Sequence, residues 1–135
     1  MAKVLILGAG AMGTAFAYPC TDNNHEVNIV GTHLEDNFIE EIKKKYFHPG
    51  LNLEVLKTIK FFKHESIKEV NKQKPDLIVL AVSSKGIAWI SEELKKISNN
   101  DKLPPLLMLT KGLSIYENKY ELLADKLIRL LIRIL

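Results

Sequence analysis

The sequence predicts an α/β fold, a doubly wound parallel sheet with helices on both faces, and three observations carry that expectation. Short apolar runs alternate with helical patterns along the chain. Two of the runs, Val4-Leu5-Ile6-Leu7 and Leu77-Ile78-Val79-Leu80-Ala81-Val82, are apolar without alternation, as strands covered on both faces are. The connections are short, which suits parallel strands joined by right-handed helical crossovers. A chain of 135 residues supports one core and hardly two, so residues 1–135 are read as a single domain.

The elements follow in order. Val4 to Leu7 is the first strand, closed by Gly8, and Ala11 to Thr21 is a helix rich in small residues. Asn23-Asn24 makes a turn into a second strand, Val27 to Val30, ended by Gly31. From about Glu35 to Lys45 acids come early and lysines late, which suits the helix dipole, and Pro49-Gly50 breaks into a loop. A weaker strand, Thr58 to Phe62, precedes a polar helical segment around Glu65 to Asn71. After Pro75-Asp76 comes the strongest strand, Leu77 to Val82. Ser83 or Ser84 is expected to cap the next helix, whose Ile87, Ile90, Leu94 and Ile97 share one face. Pro105 opens the strand Leu106 to Leu109, ended by Thr110-Lys111-Gly112, and a last helical pattern runs from about Asn118 to the end.

Composition narrows the function. The net charge of +3 is spread over lysines interleaved with glutamates, so no basic stripe for nucleic acid is present. Cys20 is the single cysteine, which rules out an internal disulfide or a cysteine-built zinc cluster; it reads as core filling in a chain suited to a reducing cytoplasm. His25, His33, His48 and His64 share no ligand spacing, so no metal site is expected. The apolar start is interrupted by glycines too early for a signal peptide, and no apolar stretch is long enough to span a bilayer.

The chemistry concentrates at Gly8-Ala9-Gly10-Ala11-Met12-Gly13, which matches G-x-G-x-x-G. The hexamer alone discriminates little; its place directly after a buried strand and before a helix makes it the dinucleotide-binding turn of a Rossmann domain. Gly8 makes the tight turn, Gly10 leaves room for a pyrophosphate, and Gly13 lets the helix sit close on the strand. The amides of Ala11, Met12 and Gly13 then face the phosphates at the positive end of the helix. No Gly-Lys-Ser/Thr follows, which excludes a Walker phosphate loop. Flavin in place of nicotinamide, or a glycine turn without a ligand, are the other readings. At the end of the second strand, Gly31-Thr32-His33 stands where an acid marks NAD preference, while Glu35 and Asp36 come late. Thr32 and His33 can hydrogen-bond either a ribose hydroxyl or a 2′-phosphate. With no acid in place and no arginine clamp, the cofactor is NADP or NAD with a slight lean to NADP.

Four segments together resemble NAD(P)-dependent glycerol-3-phosphate dehydrogenase: the glycine turn, Lys45-Tyr46-Phe47-His48-Pro49-Gly50, Ala81-Val82-Ser83-Ser84 and Leu109-Thr110-Lys111-Gly112-Leu113. The resemblance runs from the first strand to about Leu123, and the Thr-Lys-Gly-Leu segment is its most specific part. It implies that Gly8, Ala9, Gly10, Ala11, Met12 and Gly13 hold the pyrophosphate and that Thr32 and His33 line the adenosine pocket. Val82 and Ser83 would lie beside the cofactor, and Lys111 would reach the nicotinamide end and the substrate oxygens. A lysine there also makes sense chemically, since an ammonium at the carboxyl end of a central strand can stabilise a developing alkoxide. The loop departs from the family's aromatic-Leu-Pro pattern: Phe47 takes the aromatic place, with Tyr46 in reserve, and His48 is read as a loop-packing residue.

The resemblance further implies a second, helical domain that carries the catalytic lysine and binds the small-molecule phosphate substrate. This chain stops before it, so the expectation is a nucleotide-binding half without a catalytic residue of its own, inactive alone. The segment Leu127 to Leu135 is apolar around nearly its whole circumference, which calls for cover by another domain, a second subunit or a homodimer partner. The implied setting is cytoplasmic glycerol-3-phosphate metabolism and phospholipid biosynthesis. A non-catalytic dinucleotide sensor and a ketopantoate-reductase-like fragment are the alternatives; the latter carries Asn-Gly where this chain has Lys111-Gly112.

Overall fold

The computed structural model describes residues 1–98 and 102–132. The chain runs β1 (Lys3–Leu7), α1 (Ala11–Asp22), β2 (Glu26–Val30), α2 (Asp36–Lys45), then a small hairpin of β3 (Phe47–His48) and β4 (Leu53–Glu54). It continues through β5 (Lys60–Phe62), α3 (Ile67–Asn71), β6 (Leu77–Leu80), α4 (Ile87–Ile97), β7 (Leu106–Met108), a second hairpin of β8 (Leu113–Tyr116) and β9 (Lys119–Leu122), and α5 (Leu123–Ile132). Single 3₁₀ turns, His64–Ser66 and Ser84–Gly86, lead into α3 and α4.

The central sheet has five strands in the order β5-β2-β1-β6-β7, and every pairing in it is parallel. Alternation along β1 shows why its strand is apolar throughout. Leu5 and Leu7 join a core with α3, α4 and α5, while Val4 and Ile6 join a second core with α1 and α2. Helices therefore cover both faces, and the doubly wound expectation holds. Ile87, Ile90, Leu94 and Ile97 are buried along α4 as their spacing predicts. In α2, Asp36 lies in the first turn and Lys43, Lys44 and Lys45 in the last, and Tyr46 ends the helix in the left-handed region at φ 49°.

Three expectations need correction. Neither Ser83 nor Ser84 caps α4: the chain first makes a 3₁₀ turn, the α-helical cap position falls to Gly86, and no side chain bonds the cap. The last helix does not begin near Asn118. Residues 113–122 form an antiparallel hairpin turned at Glu117-Asn118, both at positive φ (49° and 62°), and the helix starts at Leu123. The apolar C-terminal segment is amphipathic within the fold. Leu123 and Leu127 are buried and Leu130 and Leu131 pack on the α4 core, while Ile128 and Ile132 stay exposed; residues 133–135 lie outside the described residues.

Candidate functional site

The strand order places β1 between β2 and β6, so the connections leaving β1 and β6 diverge to opposite sides of the sheet. Such a switch point opens a crevice at the carboxyl ends of the strands. The glycine turn occupies it. Gly8 leaves β1 at φ +113°, its N–H donating to the Val30 carbonyl at 2.8 Å, and a Cβ there would lie 2.5 Å from the Ala81 carbonyl oxygen. A Cβ at Gly13 would lie 2.4 Å from the Gly8 carbonyl oxygen and 2.8 Å from the Ala81 Cβ, so this glycine lets α1 pack against the strands. Gly10 differs: a Cβ there meets nothing within 4 Å. Its missing side chain faces open space at the edge of the crevice. The first helical bond of α1 runs from Thr14 N–H to the Gly10 carbonyl at 3.0 Å, which leaves the amides of Ala11, Met12 and Gly13 without acceptors in the helical ladder.

A cavity of about 410 Å³ opens in front of this turn, bounded by Gly10, Ala11 and Met12 on one side and by Val82, Ser83 and Lys111 on the other. Thr110 fixes that far wall by donating its hydroxyl to the Val82 carbonyl at 2.7 Å. Gly112 follows Lys111 at φ +124°, a conformation that turns the chain away immediately after the lysine. A second cavity of about 210 Å³ is lined by Thr32, His33, Val82, Ser83, Lys85 and Trp89, among others. Val82 and Ser83 border both, so the two spaces share a wall, and an extended ligand can lie across the ends of β2, β1, β6 and β7.

The structure thus brings Gly10, Ala11, Met12, Thr32, His33, Val82, Ser83 and Lys111 to one crevice, with Gly8, Ala9 and Gly13 forming the turn beneath it. Phe47 stands apart. It lines neither cavity, and its ring is exposed on β3. Side chains alternate along a strand, so the neighbouring His48 points the other way and reaches the glycine turn instead. His48 is 1% exposed; its Nε2 lies 2.9 Å from the Ala9 carbonyl oxygen, and its Nδ1 accepts the Leu51 N–H at 3.2 Å. Those two partners require the neutral ring with its proton on Nε2. The Thr14 hydroxyl donates to the same Ala9 carbonyl at 3.1 Å, and the Glu35 carboxylate accepts the Ala9 N–H at 3.1 Å. Ala9, the residue between the first two glycines, is held through both its backbone polar groups by three side chains.

Sequence reasoning missed four contributors. Lys85 and Trp89 lie on the 3₁₀ turn and the first turn of α4, where a helical pattern reads them as surface and core; the structure sets the Trp89 ring 4.8 Å from that of His33 at a tilt of 38°. Glu35 follows the strand end by several residues, so the sequence pattern does not link it to the glycine turn that its carboxylate reaches. His48 packs inside its loop, and its contact with the glycine turn shows only once the hairpin is folded. Beside the crevice, His64 bonds Asp36 at 2.9 Å and holds that carboxyl below its usual range. Among the described residues no group of three or more His, Cys, Asp or Glu side chains is placed to hold a metal ion, and no helix is long and apolar enough to cross a membrane.

Comparison with known proteins agrees with this geometry. A family model described as the N-terminus of NAD-dependent glycerol-3-phosphate dehydrogenase matches residues 3–133. An NADP(+)-dependent glycerol-3-phosphate dehydrogenase of Archaeoglobus fulgidus is 30% identical over 115 residues, which are 85% of this chain and 33% of the relative. A glycerol-3-phosphate dehydrogenase [NAD(P)+] of Bacillus thuringiensis is 30% identical over 100 residues, 71% of this chain and 27% of its own. This chain therefore spans about a third of the length of the curated relatives it matches. The crystal structure of a glycerol-3-phosphate dehydrogenase from Coxiella burnetii superposes with a TM-score of 0.77 at 22% identity, covering 96% of this chain and 38% of that one, a likeness of fold. With the family model matched over nearly all of its length, the chain belongs to the family of NAD-dependent glycerol-3-phosphate dehydrogenase N-terminal domains.

Proposed function

We propose that this chain is the nucleotide-binding half of a glycerol-3-phosphate dehydrogenase, one that moves a hydride between NAD(P)H and dihydroxyacetone phosphate or sn-glycerol 3-phosphate. The observation that carries the reading is Gly10, whose absent side chain faces open space at the mouth of the crevice while its two partner glycines are closed in by protein. The residues fit a dinucleotide. The pyrophosphate would lie over Gly10, taking hydrogen bonds from the free amides of Ala11, Met12 and Gly13. The adenosine would enter the cavity of Thr32 and His33, and the nicotinamide would lie toward Lys111, with Val82 and Ser83 between.

Bound NADH or NADPH supplies the hydride. The Lys111 ammonium would polarise the ketone oxygen and stabilise the alkoxide that forms as the hydride arrives. That one cation cannot also deliver the proton and grip the substrate phosphate. We assign those tasks to a helical domain or second subunit, in keeping with relatives about three times as long. The setting proposed is cytoplasmic, in glycerol-3-phosphate metabolism that feeds phospholipid biosynthesis.

Calorimetric titration of the purified chain with NADH and NADPH tests the reading. Micromolar binding of at least one, abolished by Gly10→Val in a chain with an unchanged circular-dichroism spectrum, is the expected result. A folded wild-type chain that binds neither would overturn it.

A further inference from the structure

Where α2 meets the edge of the sheet, lysines divide into two kinds. Lys45 bonds Glu41 at 3.0 Å and Lys63 bonds Glu40, so the acids of that helix face are taken. Lys43, Lys57 and Lys60 bond no carboxylate among the described residues. These three come from different elements: the last turn of α2, the loop before β5, and the start of β5. They nevertheless line one cavity of about 270 Å³, and no acid stands in its wall among the described residues. Like charges gathered round one opening repel each other, and an anion between them removes that cost.

Behind the ammonium groups the cavity is apolar. Ile59 and Phe61, both buried, form its floor, and Phe62 adds a second phenyl ring. Tyr46 closes one side. It ends α2 in the left-handed region, a position that glycine or asparagine usually takes, and its ring is 44% exposed. The Lys57 Nζ lies 5.4 Å from the centre of that ring, a cation–π contact that leaves its hydrogen-bond donors for another group. Because β5 pairs with β2 alone, it is an edge strand, and lysines on an edge also discourage pairing with a second chain. Edge protection explains Lys60; it does not call for an aromatic hollow enclosed by three cations.

We propose that this cavity binds a small aromatic anion, its ring against Tyr46 and the phenylalanine floor and its charged group among Lys43, Lys57 and Lys60. The volume sets the size, since sites for drug-sized ligands begin at about 300 Å³ and this one falls just below. Lysines act as point charges without the fork of arginine, so a carboxylate and a phosphate are received alike. The cavity shares no lining residue with the two spaces of the crevice. The site is therefore separate from the dinucleotide site and does not depend on that reading.

Titration of the ¹⁵N-labelled chain with phenyl phosphate and with 3-phenylpropionate, followed residue by residue in amide NMR spectra, tests the proposal. Saturable shifts at Lys43, Tyr46, Lys57 and Lys60 are expected, with a dissociation constant on the order of a millimolar or tighter for at least one of the two. Inorganic phosphate, which lacks the ring, and benzyl alcohol, which lacks the charge, should each bind there at least about tenfold more weakly. Replacing both exposed lysines, Lys57→Gln with Lys60→Gln, should weaken the aromatic anions at least about fivefold. Shifts absent from these residues with both aromatic anions would overturn the proposal. So would inorganic phosphate or benzyl alcohol binding as tightly as phenyl phosphate, a comparison made on the wild type that stands even if the double variant fails to fold. A folded double variant with unchanged affinity would overturn it as well.

Discussion

Gly10 and Gly13 share a motif and differ in what their missing side chains avoid. Gly13 avoids protein, so Gly13→Ala should destabilise the domain by about 2–3 kcal/mol through overpacking against backbone and the Ala81 side chain. Gly8 avoids both a collision and a conformation, and Gly8→Ala should cost at least as much, given φ +113° and a carbonyl oxygen 2.5 Å from the new carbon. Gly10 has φ −66° and free space, so Gly10→Ala should leave the urea midpoint within the range of a surface substitution, about 0.5 kcal/mol. Midpoints for the three variants that fall together would refute this division. The motif itself was legible because its glycines are spaced by a backbone requirement, and backbone requirements show in sequence. His48 and Glu35 were not legible as partners of Ala9, since each reaches it across 26 residues or more and only the completed fold brings them near.

At the scale of elements, the sheet was readable and the hairpins were not. Strands buried on both faces announce themselves as unbroken apolar runs, whereas β3 and β4 are two residues each and leave no periodic trace. The β8–β9 hairpin hid for a different reason: its turn falls on Glu117-Asn118, and a glutamate at positive φ is not a usual turn signal. What secures this hairpin is polar. Glu121 on β9 accepts the Ser114 hydroxyl at 2.9 Å and the Arg129 guanidinium of α5 at 2.6 and 3.4 Å, and that guanidinium also lies 3.7 Å from the centre of the Tyr116 ring. The Arg129 hydrogen bond, ahead of that from Ser114, holds the Glu121 carboxyl below its ordinary value of 4.5. A group depressed in the folded state stabilises the fold above its unfolded value and loses that contribution as pH falls through the folded value. The wild type should therefore lose stability more steeply than Glu121→Gln as pH drops below 4.5, read as urea midpoints across a pH series. Superimposable acid limbs for the two proteins would show that the pair carries no thermodynamic weight.

For the whole molecule, the same hairpin turns its apolar side the wrong way for an isolated domain. Leu113 pairs with Leu122 and Ile115 with Tyr120 on one face, and these four side chains are 58%, 59%, 70% and 77% exposed. The opposite face, with Ser114 and Glu121, meets α5 through the ion pair just described. Ile128 and Ile132 add 53% and 57% exposed side chains on α5 itself. Residues that alternate so regularly are built for burial, and a strand face that is apolar outward and polar inward reverses the usual arrangement of a half-covered sheet. The sequence already pointed to an unmet demand for cover, but it placed that demand on the terminal helix; the structure shifts most of it to the hairpin. A chain carrying this surface should self-associate, with an apparent mass by light scattering that rises with concentration. Replacing Ile115 by Lys and Tyr120 by Glu puts an opposite-charge pair across the strands, which keeps the hairpin register while removing the apolar face. That double variant should run as a monomer and retain dinucleotide binding, because the hairpin lines neither cavity of the crevice. A wild-type chain that stays monomeric at high concentration would mean that the exposed face is tolerated in solution, and the case for a covering domain or subunit would lose its physical basis.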